Sequence, residues 1–265
     1  MLNRIFGILG RSTRAFLADT GALARLGAAA CSSAFIDPFR GGRLRLQASI
    51  VQAARAGNGS LPLVGLICFL VGMIMALQAA QQLRQLGATD LVAGLVAISI
   101  TRELAPLLVA IIVAGRFGSA VAAELGTMQV SQEIDALNVM GIDPISFLVV
   151  PRLLALIASL PCLIIFADVI GILGGQAVAT GLLGIGGARY LALTLDALVL
   201  EDIYTGLVKG IAFAGIIGLV SCHQGLSTRG GAEQVGHSTT ASVVHSIVLV
   251  IGADLFVTVV FYLKA

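Results

Sequence analysis

Five apolar runs of membrane-spanning length decide what this chain can fold into. They occupy about residues 61–83, 104–123, 147–178, 204–222 and 243–263, and an α-helix needs ~20 predominantly apolar residues to cross a hydrocarbon layer of ~30 Å. No water reaches the backbone N–H and C=O groups in that layer, so only helices and closed barrels span it. A barrel would need ten-residue stretches of alternating polarity, and the sequence has none. The expected fold is an all-α integral membrane protein with an N-terminal interfacial amphipathic helix, about five transmembrane helices and a short helix between the second and third. Composition agrees: at 58% hydrophobic and 11% charged residues, with a mean hydropathy of +1.01, a soluble domain could not cover itself with polar surface. The second run can begin earlier, because residues 91–100 are apolar and only Arg102 and Glu103 interrupt it. The third holds Pro151, Pro161 and Asp168 and is too long for a straight crossing, so it is expected to be tilted, kinked or broken.

The chain divides into residues 1–60, basic and amphipathic, and residues 61–265, the membrane domain. Before Ser60 stand eight arginines (Arg4, Arg11, Arg14, Arg25, Arg40, Arg43, Arg45, Arg55) against Asp19 and Asp37, an excess that places the N-terminus in the cytoplasm. At about 100° per residue, Arg4, Arg11, Arg14 and Arg25 fall within roughly 80° of arc, opposite Leu9, Phe16 and Leu23. Such a helix lies at the interface with its arginines on anionic headgroups. Five crossings then put Lys264 and the C-terminus on the other side.

The segment from Glu124 to Arg152 is the polar exception. Taken as a helix from about Thr127, it sets Val130, Ile134, Leu137 and Met140 on one stripe and Ser131, Gln132, Asp135 and Asn138 opposite. Gly141 is placed to cap it and Pro144 stops it. The connection from Glu124 to Ser146 holds four acids, including Glu133 and Asp135, and no Lys or Arg. A short amphipathic helix between two spans must lie on headgroups or press into a partner.

Charges at membrane depth form a second group. Burying one costs about 2.5–3.5 kcal/mol on insertion scales, so Arg102, Glu103, Lys209 and Asp254 are expected to neutralise one another as a network; Asp168 has no evident partner. The only lysines are Lys209 and Lys264, and neither follows a G-x-x-x-x-G pattern, which leaves this chain without a P-loop. No nucleophile elbow or metal-ligating spacing occurs: the four cysteines read as packing residues and the three histidines lack accompanying ligands. The expectation is a non-enzymatic chain that binds no cofactor or metal, and no nucleic acid.

The motifs ELGTM, EIDAL, MGIDP and VVPR between Glu124 and Arg152, together with GGAEQVGHSTT from Gly230 to Thr240, closely resemble the signature of the MlaE (YrbE) permease family, the membrane subunits of lipid ABC transporters that work with MCE-domain proteins. Two departures are visible: the family more often reads EQIDAL where Gln132-Glu133 stands, and a basic residue is common at the position of His237. The resemblance implies a homodimer in the bacterial inner membrane that moves phospholipid between that membrane and the periplasm or outer membrane, maintaining lipid asymmetry. It implies a separate P-loop ATPase subunit that uses ATP and Mg, a periplasmic MCE-domain protein and a small STAS-type cytoplasmic subunit. Under it, Thr127, Val130, Glu133, Ile134, Asp135, Leu137 and Met140 belong to a coupling helix seated in the ATPase. The family's lipid cavity is contacted by the first and last spans, where Leu70, Met73, Ile74 and Leu77, and Leu255, Phe256, Val259 and Tyr262, recur at helical spacing. The competing reading is an ion-coupled secondary carrier that uses Lys209, Glu103 and Asp254 as a relay; it leaves the acidic amphipathic segment without a purpose. A purely structural scaffold would leave the intramembrane charges without one.

Overall fold

The computed structural model describes residues 21–30, 32–33 and 42–264. The expected N-terminal helix falls largely outside them; of it, residues 21–30 are helical, with Ala30 buried. Helix α1 runs over Gly42–Gln85 and passes residue 60 without interruption. Then come α2 (Leu91–Val130), α3 (Glu133–Val139), α4 (Ile145–Leu182), α5 (Gly187–Ala197), α6 (Leu200–Leu226) and α7 (Ala232–Lys264), with no strand among the described residues. Five of these, α1, α2, α4, α6 and α7, are long and apolar enough to cross a membrane. The short helices mark the two ends of the bundle, α3 at one and α5 at the other.

The second span begins at Leu91, and Arg102 and Glu103 sit inside it in a π-helical turn, Ile100–Leu104; a second π-turn, Ala114–Gly118, holds Arg116. The third span is continuous through Pro161. Its length answers the expectation of tilt or breakage, for 38 residues at 1.5 Å per residue reach about 57 Å, well beyond the hydrocarbon thickness.

Glycines let α1 and α4 touch backbone to backbone. A Cβ on Gly72 would stand 1.9 Å from the Gly171 carbonyl oxygen, and one on Gly174 2.1 Å from that of Phe69. Small residues permit this approach where no hydrophobic force joins helices in lipid. Gly206 and Gly210 do the same on α6, against the Thr101 carbonyl of α2 and the Ile164 side chain of α4. Gly174→Leu is expected to force α1 and α4 apart, costing at least the ~1–3 kcal/mol typical of overpacking. The check is the monodisperse fraction on size exclusion in mild detergent, which should fall sharply while Gly181→Ala, with nothing within 4 Å, leaves it unchanged.

The core lies where α2, α4 and α6 meet, around Val96, Val109, Leu156, Leu160, Ile164, Phe213 and Ile217. Flanking it, α1 packs on α4 and α2, and α7 on α6 and the second half of α2. The spanning part of α7 is only 11% buried, against 50% for α2. Most of the α7 surface therefore awaits lipid or protein.

Candidate functional site

Lys209 lies two and a half turns into α6 and is completely buried. Its Nζ donates to Glu103 Oε2 at 2.5 Å and stands 2.9 Å from Asp254 Oδ1, a charge contact off the line of a hydrogen bond. Thr258, one turn along α7 from Asp254, donates to the other Glu103 oxygen at 3.2 Å. Three spans, α2, α6 and α7, are thus tied through one ammonium.

Arg102 is not in that cluster. It pairs with Asp202, a side chain buried in the first turn of α6. Asp202 Oδ2 also accepts from the Val199 amide at 3.0 Å, so the carboxylate caps the helix at its positive end while neutralising Arg102. Neighbours in sequence serve separate partners because successive side chains on a helix point about 100° apart; the π-turn that carries both is a feature common at functional sites. Asp202 precedes the apolar run that begins at Tyr204, which is why sequence reading left it outside the membrane.

The amphipathic segment is helical in two pieces, not one. Thr127 and Val130 finish α2, and the chain breaks at Ser131–Gln132, where Gln132 takes a left-handed φ of 62°. The Ser131 hydroxyl donates to the Glu133 carboxylate at 2.9 Å, and Glu133 and Asp135 stand exposed in the first turn of α3. The break turns the stripe. Ile134 is buried against the bundle and Leu137 half-buried, so neither lies on a free face, whereas Val139 (89% exposed) and Met140 (64%) project outward. Gly141 does end the helix: at φ 73°, it donates to the Asn138 carbonyl while Ile142 donates to that of Leu137, both at 3.0 Å, the pattern that a left-handed glycine cap produces.

An ion pair buried on its arginine side and exposed on its acid side holds this loop at its base. Arg152, in the second turn of the third span, reaches Glu124 Oε2 at 3.0 Å and donates to the Leu148 carbonyl at 2.7 Å. The first residue of ELGTM and the last of VVPR are therefore in contact. Nearby, Arg116 lies across Gly59, where a Cβ would stand 2.1 Å from the guanidinium, and donates to Ser60 Oγ at 3.4 Å. Neither Arg116 nor the Glu124–Arg152 pair was singled out from sequence as a site; their signal was arginine within an apolar run.

The proposed lipid contacts are apolar surface. Leu70, Ile74 and Leu77 on α1, and Leu255, Phe256, Val259 and Tyr262 on α7, are all exposed, Phe256 by 70%; Met73 is half-buried against the core.

An all-helical bundle of five candidate spans, with a charge cluster joining three of them and a short amphipathic helix at one end, is an integral membrane protein by architecture. A family model described as Permease MlaE matches residues 49–260. A probable ABC transporter permease protein of Rickettsia typhi is 38% identical over 97% of this chain and 98% of its own length, and one of Synechocystis is 37% identical over 82% of each. The Arabidopsis thaliana protein Trigalactosyldiacylglycerol 1, chloroplastic, is 37% identical over 83% of this chain and 63% of its own. The chain belongs to the MlaE permease family and is the permease subunit of an ABC transporter, whose ATPase is a separate partner.

Proposed function

We propose that this permease moves phospholipid between the bacterial inner membrane and the periplasm or outer membrane, as a homodimer driven by a P-loop ATPase that binds ATP and Mg. The observation that carries the reading is α3, an acidic and apolar helix with an uncovered face at one end of a permease bundle. The residue pattern gives that face to the cytoplasm, with the arginine-rich N-terminus, and the α5 face and Lys264 to the periplasm. On this reading the ATPase takes up Val139, Met140, Glu133 and Asp135, a STAS-type subunit joins on the same side, and an MCE-domain protein receives lipid at the α5 face. Lipid is held along Leu70, Ile74 and Leu77 of α1 and Leu255, Phe256, Val259 and Tyr262 of α7. The largely uncovered α7 supports both a lipid surface and a second copy, and a relative bearing the name of a galactolipid supports a lipid substrate. The ion-coupled alternative gives α3 no role, and the relatives are named ABC transporter permeases.

The double variant Val139→Asp with Met140→Asp tests coupling. Both side chains are exposed, so the permease should remain monodisperse while recovery of the ATPase complex drops about tenfold or more, the effect of losing an apolar anchor of ~1.4 kcal/mol or greater. Ile134→Asp is the wrong probe because it would bury a charge. Undiminished assembly, ATP turnover and transfer of labelled phospholipid to acceptor vesicles in the double variant would overturn the reading.

A further inference from the structure

Between α4, α5 and the first π-turn of α2 lies a groove of about 360 Å³, within the range of small-ligand sites. One wall is a ridge of α4, Ile165, Val169 and Leu173, spaced four residues apart; the other is Leu191 and Leu195 of α5. These five are between 41% and 72% exposed, so the groove opens sideways, toward the bilayer. At its base the pattern changes: Asp168 Oδ1 and Thr101 Oγ1 line it, and both are buried without a hydrogen-bond partner. Thr101 is itself only 2% exposed. Arg102, the next residue, is engaged by Asp202, and no ion pair among the described residues reaches Asp168.

An orphaned buried acceptor costs ~1–3 kcal/mol, more when charged, and a ligand that donates to it recovers that cost. Apolar walls with a carboxyl at the base ask for an amphiphile whose polar end brings N–H donors and positive charge. Depth fits a membrane lipid. With the ~57 Å of α4 centred on ~30 Å of hydrocarbon, Asp168, fourteen residues from Leu182, stands only about 8 Å inside the boundary on the α5 side. We infer that this groove binds a bilayer lipid with a primary ammonium headgroup, its phosphate and glycerol beside Leu173 at the boundary, its ammonium reaching inward to Asp168 and its chain descending along Val169 and Ile165. The site is separate from the α1 and α7 surfaces and does not depend on the transport reading. A quaternary ammonium carries the charge but no N–H, so choline lipids should bind worse.

The chain contains no tryptophan, which makes an introduced one a sole reporter. Full-length protein carrying Leu195→Trp is reconstituted in bilayers containing dibrominated phosphatidylethanolamine or dibrominated phosphatidylcholine, and quenching gives the relative association of each lipid. The amine lipid should be favoured by about fivefold or more at this position, and by no more than a factor near one at Ile211→Trp, a lipid-exposed control on α6. Adding Asp168→Asn should bring the Leu195→Trp ratio to one. Equal quenching by the two lipids with Asp168 present, or a preference that survives Asp168→Asn, overturns the proposal. If Asp168→Asn does not reconstitute, Thr101→Val takes its place: a lowered ratio supports the site and an unchanged one overturns it.

Discussion

Lys209→Met is expected to remove most of the correctly assembled protein, the largest loss from a single substitution in the membrane domain. The substitution leaves Glu103 and Asp254, on α2 and α7, facing each other without the ammonium that stands 2.5 and 2.9 Å from them. Breaking a buried ion pair from one side costs about 3–5 kcal/mol, because the remaining charge stays desolvated, whereas replacing the whole cluster by neutral groups is often tolerated. The triple variant Lys209→Met, Glu103→Gln, Asp254→Asn should therefore recover monodisperse protein and thermal stability in detergent that the single variant loses. Lipid transfer by the complete transporter should stay low in the triple variant if the charges serve transport as well as folding. A charge exchange, Lys209→Asp with Asp254→Lys, should restore part of the assembly. The cycle is decisive because neighbours couple and distant sites add: effects of Lys209→Met and Asp254→Asn that simply sum would mean that the ammonium and carboxylate act independently.

The spans were legible because the bilayer imposes one strong rule, a sustained apolar run, and all five appear where the runs lie. The partners of Lys209 were legible for a related reason, since charges at similar depth have few alternatives to one another. What escaped was local backbone geometry. Nothing in the residues Ile100 to Leu104 announces a π-turn, and Arg102, grouped with Lys209 by its depth, meets Asp202 while Glu103 meets Lys209. The amphipathic segment failed in the same way: a period of 3.6 residues was projected straight through Ser131 and Gln132, and the left-handed residue there rotated Ile134 inward and left Val139 and Met140 outside. Periodicity finds a helix's faces only while the helix continues. Gly171 with Gly175 and Gly206 with Gly210 stand four residues apart, the spacing of small-residue helix contacts, but Gly72 and Gly174, which make the tightest approaches, belong to no such glycine pair.

Glu124 and Arg152 offer a test in which the two halves of one ion pair should behave differently. Arg152 is buried, with its Nε unpartnered, while the Glu124 side chain is 46% exposed. Removing the acid strands a guanidinium that has only the Leu148 carbonyl left; removing the base leaves a carboxylate that water and headgroups can still reach. Glu124→Leu should accordingly destabilise more than Arg152→Met, toward the lower end of the ~3–5 kcal/mol range because the pair is partly screened. Both should loosen the base of the loop that carries α3, since the pair joins the end of α2 to the start of the third span. Backbone hydrogen exchange over residues 131–143 should then speed up in either variant, while exchange in α6 changes only with Glu124→Leu. In the complex, ATP hydrolysis should persist and its dependence on lipid should fall, because a loosened α3 still docks but no longer transmits movement to the spans. Equal destabilisation by the two variants would mean that Arg152 matters for its packing and not for its charge, and unchanged exchange in residues 131–143 would remove this ion pair from any role in positioning α3.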